Sequence, residues 1–207
     1  MSLESPGGDI DADAFLALES LAAAAPAGAE GVVFHPYLLG ERAPLWDPGI
    51  RASFTSLQMR HGRQHMARAV LEGVACAMRD CRDALAAGDY GVSSLVATGG
   101  GTRSQLWMGI VCDMLETPIK RMRPEGSALG AAMLAGTAAG LFTDIDEALA
   151  TCVRGGDPVV ATGIMAGLGD TAMARYRRRR DTLQAMYRAE ADAELAMQVQ
   201  EDFQSDH

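Results

Sequence analysis

The sequence has no apolar run approaching the eighteen or so residues that a membrane span requires. Residues 16–25 come nearest, and Glu19 and Ser20 interrupt them, so they read as part of a water-exposed helix. No excess of basic charge is present either. Lys and Arg number 18 against 27 Asp and Glu, a net charge of -9, which argues against a nucleic-acid partner and for solubility. The first nine residues have no basic segment of the kind that opens a secretory signal, so the expected location is cytoplasmic. The four cysteines form no C-x-x-C pair, and three lie in Ala-rich helical runs. Buried free thiols are therefore expected, with no disulfide and no metal site. Neither an internal repeat nor a low-complexity linker breaks the chain.

What is present is a 48% hydrophobic sequence of 207 residues. That is enough for a real core, in one large domain or in a domain with an appended arm. Residues 11–25 read as a helix with Asp in its first turn, where the helix dipole favours acids, and Pro26 ends it. Residues 31–37 read as a short buried strand and 38–49 as a loop, with a second short strand at 52–57. The clearest helix spans 63–87, with Met66, Val70, Val74, Ala77 and Met78 recurring at helical spacing. A strand at 93–98 runs into three glycines and a helix at 103–115. A strand at 117–122, a small-residue helix at 126–139 and a short helix at 144–152 follow. An extended piece at 158–161 precedes one long helix from about 167 to a frayed tail. Strand, turn, helix, strand, helix in that order predicts an α/β layered sheet.

Three segments carry chemistry. In Ala97-Thr98-Gly99-Gly100-Gly101-Thr102-Arg103-Ser104, three residues without Cβ atoms stand between a strand and a helix. Such a turn accepts positive φ and lets a ligand approach the backbone, while the helix start offers free N–H groups to a phosphate or a polar ring edge. Ser104 is placed to cap the helix or to donate to a ligand. The spacing is neither the G-x-G-x-x-G fingerprint nor a Walker loop, and a plain tight turn remains an equal reading. The second segment, Pro124 to Ala132, opens a helix with almost no side-chain bulk at Gly126, Gly130 and Ala131. That suits close packing on a sheet or on a flat ring. The third is the loop from Pro36 to Pro48. There Glu41 and Arg42 are expected to pair with groups elsewhere, and Tyr37 and Trp46 to anchor the loop.

Taken in series, these segments resemble the FGGY family of carbohydrate kinases, and xylulokinases most. The likeness rests on P-Y-L-x-G-E-R-x-P-x-W-D (Pro36 to Asp47), A-R-A-V-L-E-G-V-A (Ala67 to Ala75) and T-G-G-G-x-R-S (Thr98 to Ser104). D-M-L-E-T-P-I (Asp113 to Ile119) and E-G-S-A-L-G-A-A (Glu125 to Ala132) complete it. The order and spacing match across residues 31–141. The resemblance implies a ribonuclease H-like, actin-like ATPase fold, here its C-terminal domain without its first strands. It implies ATP with Mg as cosubstrate, with no Mg ligand expected from this chain. Gly99, Gly100 and Gly101 match a turn lying against the adenosine and phosphates. Ser104 matches a side chain that approaches the adenine, and Gly126 and Ala128 open the helix packed nearby.

The same resemblance predicts what this chain does not do. Phosphoryl transfer to a sugar hydroxyl needs a carboxylate to take the proton, and the family's G-x-G-D segment that carries it is absent from these 207 residues. So is the D-x-G-T phosphate loop, and most sugar contacts belong with it. No catalytic residue is therefore assigned here. Residues 1–10 are expected to be a disordered or tag-like start, 11–165 the nucleotide-side domain, and 166–207 a C-terminal helix and tail. The expected function is the ATP-binding part of a ketose or polyol kinase, inactive alone. A non-catalytic, kinase-like interaction module is the alternative. A sheet short of strands exposes an edge, so a homo-oligomer is expected.

Two further patterns read as structural. His61 and His65 stand at i, i+4, but Gly62 replaces the Glu of a zinc-protease helix, so exposed or capping histidines are expected. Arg177 to Arg180 fan around a helix and read as a solvated face. Asp80 and Asp113 read as ordinary helix-surface acids.

Overall fold

The protein is described here from a computed structural model covering residues 12–88, 90–122, 127–153, 156–165 and 167–205. The expected start at residues 1–10 lies outside these. The chain divides into two compact units, Met1–Ala84 with Met165–His207, and Leu85–Ile164.

In the first unit, α1 (Ala12–Ala23) leads into a 3-10 turn at Ala29–Gly31 and then β1 (Val33–His35). β1 pairs antiparallel with β2 (Ser53–Thr55), Phe34 opposite Phe54. The two rings lie 4.6 Å apart and pack on a small core of Ala29, Val32 and Ala69. α2 (Arg63–Ala87) crosses this ribbon so closely that a Cβ on Gly73 would lie 2.1 Å from the Phe34 carbonyl oxygen. A glycine is required there by close approach rather than by φ. α6 (Gly169–Ser205) closes the unit against β1.

The buried face of α2 differs from the expected apolar stripe. Met66, Val70, Val74 and Ala77 are half-buried and Met78 is 41% exposed. The buried positions include Ala69, Glu72, Gly73, Cys76 and also Arg68, Arg79 and Asp80. These charges are tolerable because they are paired. Arg68 Nε donates to Glu72 Oε1 at 2.6 Å, and the Gly28 amide donates to the same oxygen at 2.8 Å. Burial still raises the Glu72 carboxyl above its ordinary range, against the pull of Arg68 and Gly28.

Asp80 is not a surface acid, and the arginine run is not wholly solvated. Asp80 is 6% exposed. Arg177 Nε donates to its Oδ1 at 2.6 Å, and Arg180 Nη1 donates to its Oδ2. Arg177 Nη2 also reaches Asp83 at 2.6 Å. Two of four consecutive arginines thus fasten α6 to α2 by charge-assisted bonds. Asp113, by contrast, accepts from Thr162 Oγ1 and the Gly163 amide and so holds a turn.

The 36–48 loop is anchored at one aromatic only. Tyr37 is 2% exposed and its hydroxyl lies 2.6 Å from that of Tyr176, while Trp46 is 78% exposed. Burial pushes Tyr37 up to about 12. Glu41 bonds to its own loop, through the amides of Arg42 and Ala43. Beside Tyr176 lies His35, fully buried and stacked on its ring at 4.6 Å. His35 Nε2 is 3.1 Å from the Tyr176 carbonyl oxygen. A carbonyl only accepts, so the proton sits on Nε2 and leaves Nδ1 bare and buried.

The second unit carries β3 (Leu95–Ala97), α3 (Gln105–Leu115), β4 (Ile119–Arg121), α4 (Ser127–Ala138), α5 (Ile145–Cys152) and β5 (Pro158–Val159). β3 and β4 run parallel, as a strand–helix–strand crossover requires, and β5 joins β4 antiparallel. α3 supplies the core with Met108, Ile110, Val111, Met114 and Leu115. The four cysteines are free thiols. No helix among the described residues is long and apolar enough to cross a membrane.

Candidate nucleotide-side site

β3 and β4 end side by side, with Ala97 in register with Arg121 and the Met122 amide bonded to the Ala97 carbonyl at 3.0 Å. The chain leaves both strands at the same carboxyl edge. From β3 it enters the three glycines; from β4 it heads into α4. Ligands of open α/β sheets sit beyond that edge.

The turn is locked from within. Gly99 has φ 94° and ψ 174°, where a side chain is strained. Thr102, 6% exposed, donates through its hydroxyl to the Gly99 carbonyl at 2.8 Å, and its amide donates to the same oxygen at 3.1 Å. Residues Gly100–Arg103 form a 3-10 turn that delivers the chain to α3. Ser104 then caps α3: its hydroxyl oxygen accepts from the Trp107 amide at 2.9 Å, and the residue is 3% exposed. Trp107 closes the turn from the other side, its indole nitrogen 3.2 Å from where a Cβ on Gly101 would stand.

What faces outward is backbone. Gly99, Gly100 and Gly101 are exposed. A Cβ built on Gly99 or Gly100 meets nothing within 4 Å. At Gly99 the φ angle explains the glycine. At Gly100 nothing in the described chain does, so the missing side chain leaves room for something from outside. The amides of Gly100 and Gly101 have no partner among the described residues. Two free N–H groups at a helical start favour an anionic or acceptor-rich ligand.

α4 repeats this openness. Ala128 is exposed, and a Cβ on Gly130 meets nothing within 4 Å, so close packing on the sheet does not account for that glycine. Gly136, further along, is different: a Cβ there would lie 2.8 Å from the Phe142 ring. Gly126 lies outside the described residues. The structure therefore places Gly99, Gly100 and Gly101 at the carboxyl edge of β3 and β4, and it adds Thr102 and Trp107, which the sequence does not single out; residues 123–126, which link β4 to Ala128, lie outside the described residues. Only the T-G-G-G-T spacing hinted at Thr102, since a hydroxyl two or three residues on commonly bonds a turn carbonyl.

The two histidines belong to the first unit and are not exposed. His61 Nδ1 accepts from the Gln58 amide and His65 Nδ1 from the Gly62 amide, each at 3.0 Å, so the capping half of the expectation describes them. With Nδ1 accepting, the proton sits on each Nε2, and these lie 3.9 and 3.7 Å from the Glu30 carboxylate. A metal would need those Nε2 lone pairs and would force protons onto Nδ1, against the amides. No group of three His, Cys, Asp or Glu among the described residues is arranged to hold a metal.

Comparison with known proteins agrees with this geometry. Residues 7–139 match the FGGY family of carbohydrate kinases, C-terminal domain. The chain is 34% identical over 143 residues to the xylulose kinase of Staphylococcus epidermidis, covering 69% of this chain and 29% of that protein. It is 38% identical over 142 residues to the gluconokinase of Bacillus subtilis, covering 65% and 26%. The crystal structure of xylulose kinase from Rhodospirillum rubrum superposes with a TM-score of 0.73 at 35% identity, over 88% of this chain and 36% of that one. Ligand-bound xylulose kinase from Lactobacillus acidophilus gives 0.74 at 32%, over 84% and 35%. The chain thus spans less than two fifths of the length of each of these relatives. With its parallel strands, open glycine turn and small-residue helix in that order, the chain belongs to the FGGY family of carbohydrate kinases, as a C-terminal domain of their ribonuclease H-like, actin-like ATPase fold.

Proposed function

We propose that this chain forms the adenosine-side wall of the ATP site in a kinase that phosphorylates a ketose or polyol hydroxyl, with a xylulose-like ketose as the favoured acceptor. The observation that carries this reading is Gly100: exposed, with no steric need for glycine from the described chain, at the carboxyl edge of two parallel strands. The amides of Gly100 and Gly101 would donate to phosphate or ring acceptors. Gly99, Gly126 and Ala128 would keep the floor flat, and the capped start of α3 would add its dipole. Ser104, whose oxygen accepts from the Trp107 amide, would hold the start of α3 in place beneath the adenine. ATP, accompanied by Mg, supplies the phosphoryl group; this chain binds and orients. The proton acceptor and most sugar contacts would come from residues outside these 207. Residues 11–165 are assigned to the nucleotide-side domain and 166–207 to its C-terminal helix and tail. A cytoplasmic site of action follows from the need for ATP.

The test is a titration with a fluorescent ADP analogue, wild type against Gly100→Val. Saturable binding that the valine abolishes supports the reading; binding indifferent to the valine removes it. A coupled ADP-release assay with D-xylulose on the 207-residue chain should show no turnover. One observation favours a second reading as an interaction module. In the second unit Leu134, Leu141 and Leu149 are 64%, 76% and 42% exposed, an apolar surface that a second copy would cover. A clean monomer in sedimentation at micromolar concentration would dismiss it.

A further inference from the structure

The arginines of α6 fall into two groups. Arg177 and Arg180 are committed to Asp80 and Asp83. The guanidinium groups of Arg175, Arg178 and Arg179 have no hydrogen bond and no ion pair within 4.0 Å to a side chain among the described residues. Their spacing is i, i+3, i+4, which places them on one face of the helix. The nearby acid Asp181 is taken by Arg180, through Nε at 3.0 Å and Nη2 at 2.9 Å. Three like charges on one face repel, and a chain of net charge -9 has carboxylates enough to have neutralised them. Here it has not.

These three guanidinium groups line a groove of about 340 Å³ in the first unit, with Ser56, Gln58 and the turn at Glu30 and Gly31 opposite. Its other walls are donors or neutralised groups. The Ser56 hydroxyl has no partner among the described residues. Gln58 uses its carbonyl oxygen on Arg60, which leaves its amide nitrogen to donate. Among the described residues Glu30 is the one acid lining the groove, and it is engaged elsewhere. Arg60 Nε donates to it at 3.0 Å and holds its carboxyl below the ordinary range, and His61 and His65 flank it. Arg175 lies against Gly31, its Nη1 3.7 Å from where a Cβ would project, so the absence of a side chain there keeps the floor of the groove clear.

We propose that this groove is a binding site for a small phosphate-bearing anion, of the size of a diphosphate group, separate from the glycine turn. Planar guanidinium forks recognise phosphate oxygens in pairs, and three such forks with hydroxyl and amide donors across from them match a group carrying several oxygens and more than one negative charge. The site needs no metal and no proton transfer. Its occupation relieves the repulsion along α6.

The test uses inorganic pyrophosphate and orthophosphate, titrated into the 207-residue chain by calorimetry and by amide NMR. Pyrophosphate is expected to bind saturably, more tightly than orthophosphate, and to shift the amides of Gly31, Ser56 and Gln58. Arg178→Ala/Arg179→Ala, two exposed positions whose loss leaves the core intact, should weaken it by at least about tenfold. The Arg178→Lys/Arg179→Lys pair should recover part of that loss, since charge returns without the fork. Gly100→Val should leave pyrophosphate binding unchanged, so that failure of the nucleotide reading and failure of this one are told apart. The proposal is overturned by no saturation up to about 10 mM pyrophosphate, by binding that the alanine pair does not alter, or by shifts confined to residues 99–101. It is equally overturned if the alanine pair abolishes a salt-sensitive self-association instead, which would assign the arginines to a second copy of the chain.

Discussion

The hydroxyls of Tyr37 and Tyr176 meet at 2.6 Å inside the first unit, 139 residues apart along the chain. One leads the 36–48 loop and the other lies on α6. Each satisfies the other where water does not reach: Tyr37 is 2% exposed and Tyr176 not at all. Removing one hydroxyl leaves its partner buried and unmatched. Tyr176→Phe and Tyr37→Phe should each cost about 1–3 kcal/mol in urea unfolding. The double variant should cost less than the sum, because two apolar rings leave no orphan. Additive losses would mean that the two hydroxyls do not interact.

His35 makes the first unit sensitive to acid. Burial lowers its pKa, with Arg180 and Arg179 adding to the effect and the bond to the Tyr176 carbonyl opposing it. An unfolded chain takes up this proton near pH 6.5, whereas the folded chain resists until lower pH. The His35 contribution is therefore complete above about pH 6.5 and is lost as pH falls through the window below it. Urea midpoints at about pH 7.5 and 5.5 should differ for wild type and differ less for His35→Leu. An undiminished slope in the variant would assign the acid sensitivity to other groups.

Gly73 sets propensity against packing. Alanine is the better helix former by about 1 kcal/mol, and Gly73 lies in mid-helix. Yet its Cβ would stand 2.1 Å from the Phe34 carbonyl oxygen, a backbone atom that cannot swing aside. Gly73→Ala should destabilise by about 2 kcal/mol or more, as overpacked sites do. A thermal melt that rises with the substitution would show that α2 does not sit so close to β1.

Gly100 and Ser104 separate stability from binding. A Cβ at Gly100 meets no atom of the described chain within 4 Å, so for Gly100→Val the melting temperature should stay near wild type while nucleotide affinity falls. Ser104→Ala removes the α3 cap and should cost about 1 kcal/mol of stability. Ser104→Thr should restore the cap. Equal behaviour of Gly100→Val and Ser104→Ala in both assays would erase the distinction.

Local patterns were legible where the chain's own chemistry decided them. The helix at 63–87 and the helix at 126–139, observed at Ser127–Ala138, show in spacing and small residues. The strand into three glycines is visible as a change of composition. The sequence suits Ser104 to a cap or a ligand donor, and the structure shows the cap. Partners far along the chain were not legible. Asp80 looks like any helix acid until Arg177 and Arg180, about a hundred residues later, are folded onto it. The exposed face of α6 was hidden for a simpler reason: Arg175 stands outside the run of four, so the i, i+3, i+4 set is invisible when the run is considered alone. Trp46 shows the limit of reading size as burial.

The first unit is assembled from the two ends of the described chain, with the second unit's residues strung between them. During synthesis, β1 and α2 emerge long before α6 exists. His35, Tyr37 and Asp80 must therefore wait, unmatched, for Tyr176, Arg177 and Arg180 to leave the ribosome, while the contiguous second unit is free to close first. A stop codon anywhere ahead of Tyr176 would strand the early half with its buried charge and aromatic seat vacant. Such products should be cleared by proteolysis even though most of the polypeptide had been made.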